Sequence, residues 1–229
     1  MQPDMDNAIM VQMPEHQAQQ LVLLFHGVGS TPEGMLPIGR SLAEAFPQAA
    51  VVSVRSPEPS DFGQGFQWFS VAGITEDNRA ERIAHAMPQF VQTVRAWQAH
   101  TGVADQGTLL VGFSQGAIMA LESTQSGTPL AGRVVSLSGR FGQDPDVVPA
   151  TTVLHFFHGK TDAVIHYGFT VRAAERLVRL GADVTADVLP HLGHEVNDAV
   201  VEKLLERLTT YVPQRYWRAA QDAAAEGEA

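Results

Sequence analysis

The stretch LLVGFSQGAIMALES, residues 109–123, changes character at Ser114. Before it, a short continuous apolar run reads as a strand buried on both faces. After it, Gln115 to Ser123 read as a helix. Gly112-Phe113-Ser114-Gln115-Gly116 fits G-x-S-x-G and sets Ser114 at a sharp strand-to-helix turn. Such a turn needs small neighbours, because strand and helix approach closely while the serine holds a strained conformation. A serine that merely capped the helix would account for Ser114 and one glycine, but not for both.

Working outward, five further runs are read as strands: LVLLFH (21–26), AAVVSV (49–54), RVVSLS (133–138), TTVLHFFHG (151–159) and ADVTADVLP (182–190). The last alternates more than the others, as an edge strand would. Helical patterns lie between them. In TEDNRAERIAHAMPQFVQTVRAWQ, residues Ile83, Met87, Phe90, Val91, Val94 and Trp97 share one face. Thr75 is the expected N-cap, and Pro88 is expected to kink or split the helix. YGFTVRAAERLVRLG ends at Gly181, and EVNDAVVEKLLERLTTYV stops before Pro213. Strands alternating with helices predict an α/β fold with a mostly parallel, doubly wound sheet covered by helices on both faces. No repeat or linker divides residues 1–229, so one domain is expected, with an acidic tail, 221–229, that frays.

A net charge of -10 gives no electrostatic reason to approach nucleic acid or anionic lipid, so neither is expected as a partner. There is no cysteine, which excludes disulfides and thiolate metal sites. The N-terminal segment carries two aspartates and no basic or apolar region of a secretory signal. No apolar run reaches the length of a membrane span. A cytoplasmic protein, monomer or homodimer, is the expectation.

A serine hydroxyl becomes a nucleophile only when a base takes its proton and an acid orients that base. In the α/β-hydrolase fold the chain order is serine, acid, histidine. Asp162, in HGKTDAVI, follows the penultimate strand, and His194, in LPHLGHEVND, follows the last. Both fall at C-terminal strand ends, where ligand sites of open α/β sheets collect. Asp144 and Asp146 are rival acids in a proline-containing loop, whereas Asp183 and Asp187 lie within a strand and are read as solvated. His191 and His194 form an H-x-x-H spacing, but zinc needs a third ligand, so no metal is assigned. His155 and His158 are read as structural, with His158 bonding backbone near the acid loop. For the oxyanion, the turn His26-Gly27-Val28-Gly29 offers the N–H of Val28, and the residue after the nucleophile, Gln115, offers the second.

Together LLFHGVGS, GFSQGAIMAL, LSG (137–139), HGKTDAVI and LGHEV resemble the carboxylesterase/phospholipase family, the acyl-protein thioesterase-like branch of the α/β-hydrolases. The resemblance runs from about residue 19 to about residue 212. It implies Ser114, Asp162 and His194 as the triad, Val28 and Gln115 as oxyanion donors, no cofactor, and cleavage of carboxylic esters or thioesters. Three positions depart from the family pattern. Ser30 stands where an aspartate is usual, Ala117 where a second glycine follows the elbow, and Ile165-His166 where Val-Pro follows the acid loop.

Residues 139–150 are too few for a helical cap, which predicts a minimal lid. The longer insertion is SPEPSDFGQGFQWFSVAGI, 56–74, with Phe62, Phe66, Trp68 and Phe69 among glycines. Phe66, Trp68 and Phe69 are read as an apolar substrate wall or, alternatively, as anchors of the loop to the core. Arg140 meets an anionic substrate group or is a surface residue. The expected function is a serine hydrolase acting on a small-molecule ester through an acyl-enzyme. A thioesterase, a lysophospholipase, an acyltransferase and a non-catalytic ligand-binding protein of the same fold remain alternatives.

Overall fold

A computed structural model describes residues 7–217 together with 220 and 221; the expected tail beyond 221 lies outside the described residues. The chain alternates β1 (Ala8–Gln12), β2 (Gln20–Phe25), α1 (Leu36–Ala45), β3 (Ala49–Val54), β4 (Glu58–Pro59), β5 (Phe66–Gln67), α2 (Glu76–Thr101) and β6 (Thr108–Phe113). It continues through α3 (Gln115–Glu122), β7 (Arg133–Leu137), β8 (Val153–Gly159), α4 (Gly168–Arg179), β9 (Val184–Leu189) and α5 (Asp198–Thr210). Seven strands form one sheet in the order β1-β3-β2-β6-β7-β8-β9. Every pairing is parallel except that of β1 with β3.

The continuous apolar runs are explained by burial on both sides. In β2, Leu21, Leu23 and Phe25 join one apolar cluster while Val22 and Leu24 join the other. The first cluster is closed by Ile83, Phe90, Val94 and Trp97 of α2 with residues of α3 and α4. The second is closed by Ile38 and Leu42 of α1 with Val200, Leu204 and Leu208 of α5. β9 is at the edge, as its alternation implied.

Three expectations need correcting, and two elements were not anticipated. Pro88 does not split helix α2, which continues from Glu76 to Thr101. Pro88 and Ala84 are both exposed, so the carbonyl that loses its N–H donor faces water. Asp183 and Asp187 are not solvated: Asp183 is 7% exposed and pairs with Arg215 at 2.9 Å, and Asp187 takes both nitrogens of an Arg207 fork at 2.8 and 2.9 Å. These carboxylates tie the C-terminal segments to the edge strand. The 56–74 insertion contains the β4–β5 hairpin rather than unstructured chain. Finally, β1 and α1 had no counterpart in the sequence reading. β1 is only five residues long, half-buried and antiparallel, and α1 carries Pro37 and Gly39.

Candidate active site

Ser114 follows β6 directly and caps α3 with φ 53° and ψ -114°. A non-glycine residue holds that conformation only when its surroundings fix it. Its N–H donates to the Leu137 carbonyl at 2.9 Å, which ties the elbow to β7. The flanking glycines are there for space. A Cβ on Gly112 would lie 2.4 Å from the Ala117 nitrogen, and one on Gly116 would lie 2.2 Å from the Phe25 carbonyl oxygen. Strand β6, helix α3 and the end of β2 could not close up around Ser114 with side chains at either position.

The hydroxyl of Ser114 lies 2.9 Å from His194 Nε2, and His194 Nδ1 lies 2.7 Å from Asp162 Oδ2. Because a carboxylate only accepts, Nδ1 carries the proton and Nε2 is free to take one from Ser114. Asp162 is held by four donors. Its Oδ1 accepts the N–H groups of Val164 (2.8 Å) and Ile165 (2.9 Å), while Oδ2 accepts from His194 and, at 3.2 Å, from His158 Nε2. Burial alone would raise the Asp162 pKa, but the bonds from His194, Ile165 and Val164 outweigh it and hold the carboxyl below its ordinary range.

His158 is fully buried, and its tautomer follows from its partners. Nε2 faces two pure acceptors, Asp162 and the Ile165 carbonyl (2.7 Å), so it carries the proton; Nδ1 then accepts from the Thr170 hydroxyl at 2.8 Å. Burial keeps this imidazole neutral by lowering its pKa.

The turn after β2 is held by partners that no local motif announces. The His26 ring, 1% exposed, donates from Nδ1 to the Gly27 carbonyl at 2.8 Å and accepts the Ser56 N–H at Nε2, 3.1 Å away. Burial lowers the pKa of His26, so it too stays neutral. Phe66 clamps the same turn by exchanging backbone bonds with Gly29 (2.9 Å) and Ser30 (2.8 Å). Among the described residues, neither the Val28 N–H nor the Gln115 N–H has an acceptor within the protein. The Gln115 side chain has a separate task. It accepts the Trp68 N–H at 2.7 Å and donates to the Phe69 carbonyl at 2.6 Å, stitching the 56–74 loop to the elbow.

A cavity of about 500 Å³ opens beside Ser114, lined among others by Val28, Phe69, Ile118, Arg140, Ile165 and Phe169. Of the three loop aromatics expected to form the substrate wall, only Phe69 lines this cavity. Phe66 lies under the Arg55 guanidinium, 4.5 Å from it. Trp68 is an anchor: it is 2% exposed, its ring centroid is 5.5 Å from Phe25 and 5.3 Å from Phe90, and its Nε1 donates to the His26 carbonyl at 3.2 Å. Each such aromatic pair contributes about 0.5–1.5 kcal/mol beyond its buried area. Phe62 is 71% exposed. His166 lies at the cavity wall, and Arg140 is buried there rather than on the open surface. Asp146 pairs with Arg176, and it is Asp162 that meets His194.

Asp61 clasps the loop. Its carboxylate accepts from Gln67 Nε2 (3.0 Å), the Ser70 hydroxyl (2.8 Å) and the N–H groups of Val71 (2.8 Å) and Ala72 (3.0 Å). The Gln67 and Ser70 bonds chiefly lower its pKa from 3.8 to about 2. A carboxyl depressed on folding stabilises above its unfolded pKa, and that contribution disappears as pH falls through the folded value. The clasp is therefore expected to hold above about pH 4 and to loosen between about pH 4 and pH 2. Amide exchange at Val71 and Ala72, corrected for intrinsic rates, reads this directly. Protection unchanged across that window would refute it.

The chain resembles known proteins in sequence and in fold. The family model described as phospholipase/carboxylesterase matches residues 6–212. Esterase YpfH of Escherichia coli strain K12 is 45% identical over 218 residues, 95% of this chain and 94% of its own. Acyl-protein thioesterase 1 of Cryptococcus neoformans var. neoformans is 26% identical over 182 residues, 72% of this chain and 76% of its own. The crystal structure of esterase PE8 superposes with a TM-score of 0.80 at 23% identity, covering 90% of this chain and 99% of that one. Among the described residues, no helix is long and apolar enough to cross a membrane.

Proposed function

This chain belongs to the phospholipase/carboxylesterase family, and from that premise we propose that it hydrolyses carboxylic esters through an acyl-enzyme on Ser114. The observation that carries the reading is the unbroken relay from the Ser114 hydroxyl to His194 (2.9 Å) and from His194 to Asp162 (2.7 Å), beside a cavity open to solvent. His194 Nε2 takes the Ser114 proton as Oγ attacks the acyl carbon. The N–H groups of Val28 and Gln115 hold the oxyanion, and removing one such donor typically costs about 2.7–4 kcal/mol of transition-state stabilisation. His194 then passes the proton to the departing alcohol. Water, deprotonated by the same nitrogen, releases the acid and restores Ser114. Asp162 keeps the imidazole in the tautomer that can do this.

The same steps act on a thioester, whose thiol leaves in place of an alcohol, and the relative named acyl-protein thioesterase supports that second reading. Para-nitrophenyl esters from acetate to palmitate should be hydrolysed well above the buffer rate. A fluorophosphonate should block that activity by phosphonylating Ser114, located by peptide mass. Buffer-level rates on every ester, with Ser114 unlabelled, would leave a non-catalytic ligand-binding protein as the better account.

A further inference from the structure

The cavity beside Ser114 also contains a cationic wall that ester cleavage itself does not use. Arg140 is 8% exposed and fixed on two sides: its guanidinium carbon lies 3.6 Å from the Phe169 ring centroid, and its Nε–H donates to the Phe141 carbonyl at 3.0 Å. That leaves its terminal fork directed at one carboxylate, Glu76, with bonds of 3.0 and 2.7 Å. Arg79 donates to the same Glu76 from Nε at 3.3 Å and Nη2 at 3.1 Å. Arg172, which does not line the cavity, also lies over Phe169, 4.7 Å from its centroid. Glu122 also faces Arg140 from α3, but its carboxylate is occupied by the Gly142 N–H, and burial pushes its pKa up. One carboxylate thus answers two guanidinium groups within a chain of net charge -10.

The two partners of this pair differ in how they are held. The Arg140 side chain is 9% exposed, whereas that of Glu76 is 64% exposed. A purely structural ion pair between α2 and the turn after β7 would be expected to fix both groups. Here the cation is stacked and pre-oriented, while the anion reaches in from solvent. Glu76 is also the first residue of α2, where the helix N-terminus favours its charge even without Arg140. Its carboxylate keeps that helix N-terminus when it leaves the fork, and a planar carboxylate is what a stacked guanidinium fork accepts best.

We propose that Arg140 and Arg79 form a subsite for a carboxylate carried by the substrate beside its scissile ester, and that Glu76 occupies this subsite when no substrate is bound. The substrate class is then an ester or thioester with a free acid group on its acyl or alcohol part. The proposal rests on the assignment of Ser114 as nucleophile, because it gives that same cavity its selectivity.

The test compares para-nitrophenyl half-esters of adipic and suberic acids, too long for the free acid to attack its own ester readily, with their methyl-capped analogues. A second arm compares para-acetoxybenzoate with its methyl ester, which moves the carboxylate to the alcohol side. The readout is the ratio of kcat/KM for acid over capped ester within each protein, so that general damage cancels. In the wild type this ratio should reach about tenfold in at least one arm, the scale of one charge-assisted fork. Arg140→Lys keeps the charge but loses the fork and the stacking, and should lower the ratio about tenfold. Glu76→Gln removes the competing carboxylate and should raise it. A wild-type ratio of one or less in both arms, or a ratio unchanged by both substitutions, would overturn the subsite while leaving the esterase reading intact. If the capped esters also stayed uncleaved and a fluorophosphonate left Ser114 unlabelled, both readings would fall together.

Discussion

Ser114→Ala is expected to lower kcat for ester hydrolysis by about 10⁵-fold or more, the scale reached when the nucleophile of a serine triad is removed. No other group replaces it. Asp162 is enclosed by its four donors, and His194 Nε2 points at the Ser114 oxygen. Folding should be almost untouched. Alanine keeps the Cβ, so the φ of 53° is neither relieved nor made worse, and the melting temperature should change by no more than the few degrees that about 1 kcal/mol produces. The measurement is kcat on a para-nitrophenyl ester, with thermal melting of both proteins alongside. A Ser114→Ala protein that folds normally and keeps a tenth of the wild-type rate would mean that His194 activates water directly. Because the groups act as a unit, Ser114→Ala with His194→Ala should be little slower than Ser114→Ala alone.

What the sequence could disclose about this site depends on how local each signal is. The elbow was legible because its requirements fall within five consecutive residues: a turn, a hydroxyl at its apex, and glycines where side chains would collide with Ala117 and Phe25. Asp162 and His194 were legible by position, since each directly follows a run that reads as a strand. The supports were not. Gln115 was expected only as an N–H donor, yet its side chain bonds to Trp68 and Phe69 across 47 and 46 residues. His26 holds Ser56 across 30 residues, and Arg140 meets Glu76 across 64. Such pairs arise when sheet order brings distant segments together, and neither partner carries a periodic or compositional mark. The same reasoning covers the loop aromatics. FQWF at 66–69 shows that apolar rings are present, but which one enters the core is set by Phe25 and Phe90.

Asp162→Asn is expected to lower kcat about 10⁴-fold while leaving the fold and substrate binding nearly intact, as when the acid of a serine triad becomes an amide. The four donors around Asp162 explain why so small a change should matter here. Two are backbone N–H groups, from Val164 and Ile165, and cannot reverse their polarity. An asparagine must therefore turn its carbonyl oxygen toward them and its NH2 toward His194 and His158. His158 cannot adapt, because its Nε2 proton is committed to the Ile165 carbonyl at 2.7 Å. His194 can, by moving its proton to Nε2 so that Nδ1 accepts from the amide. That tautomer presents an N–H to the Ser114 hydroxyl and leaves no base to take its proton. The loss should appear in kcat with KM changed little, since Asp162 touches the imidazole and not the substrate. In nitrogen-15 NMR, the protonated imidazole nitrogen of His194 should change from Nδ1 to Nε2. A large kcat loss with the proton still on Nδ1 would show that Asp162 acts through its charge rather than by fixing the tautomer. An unchanged kcat would remove Asp162 from the relay.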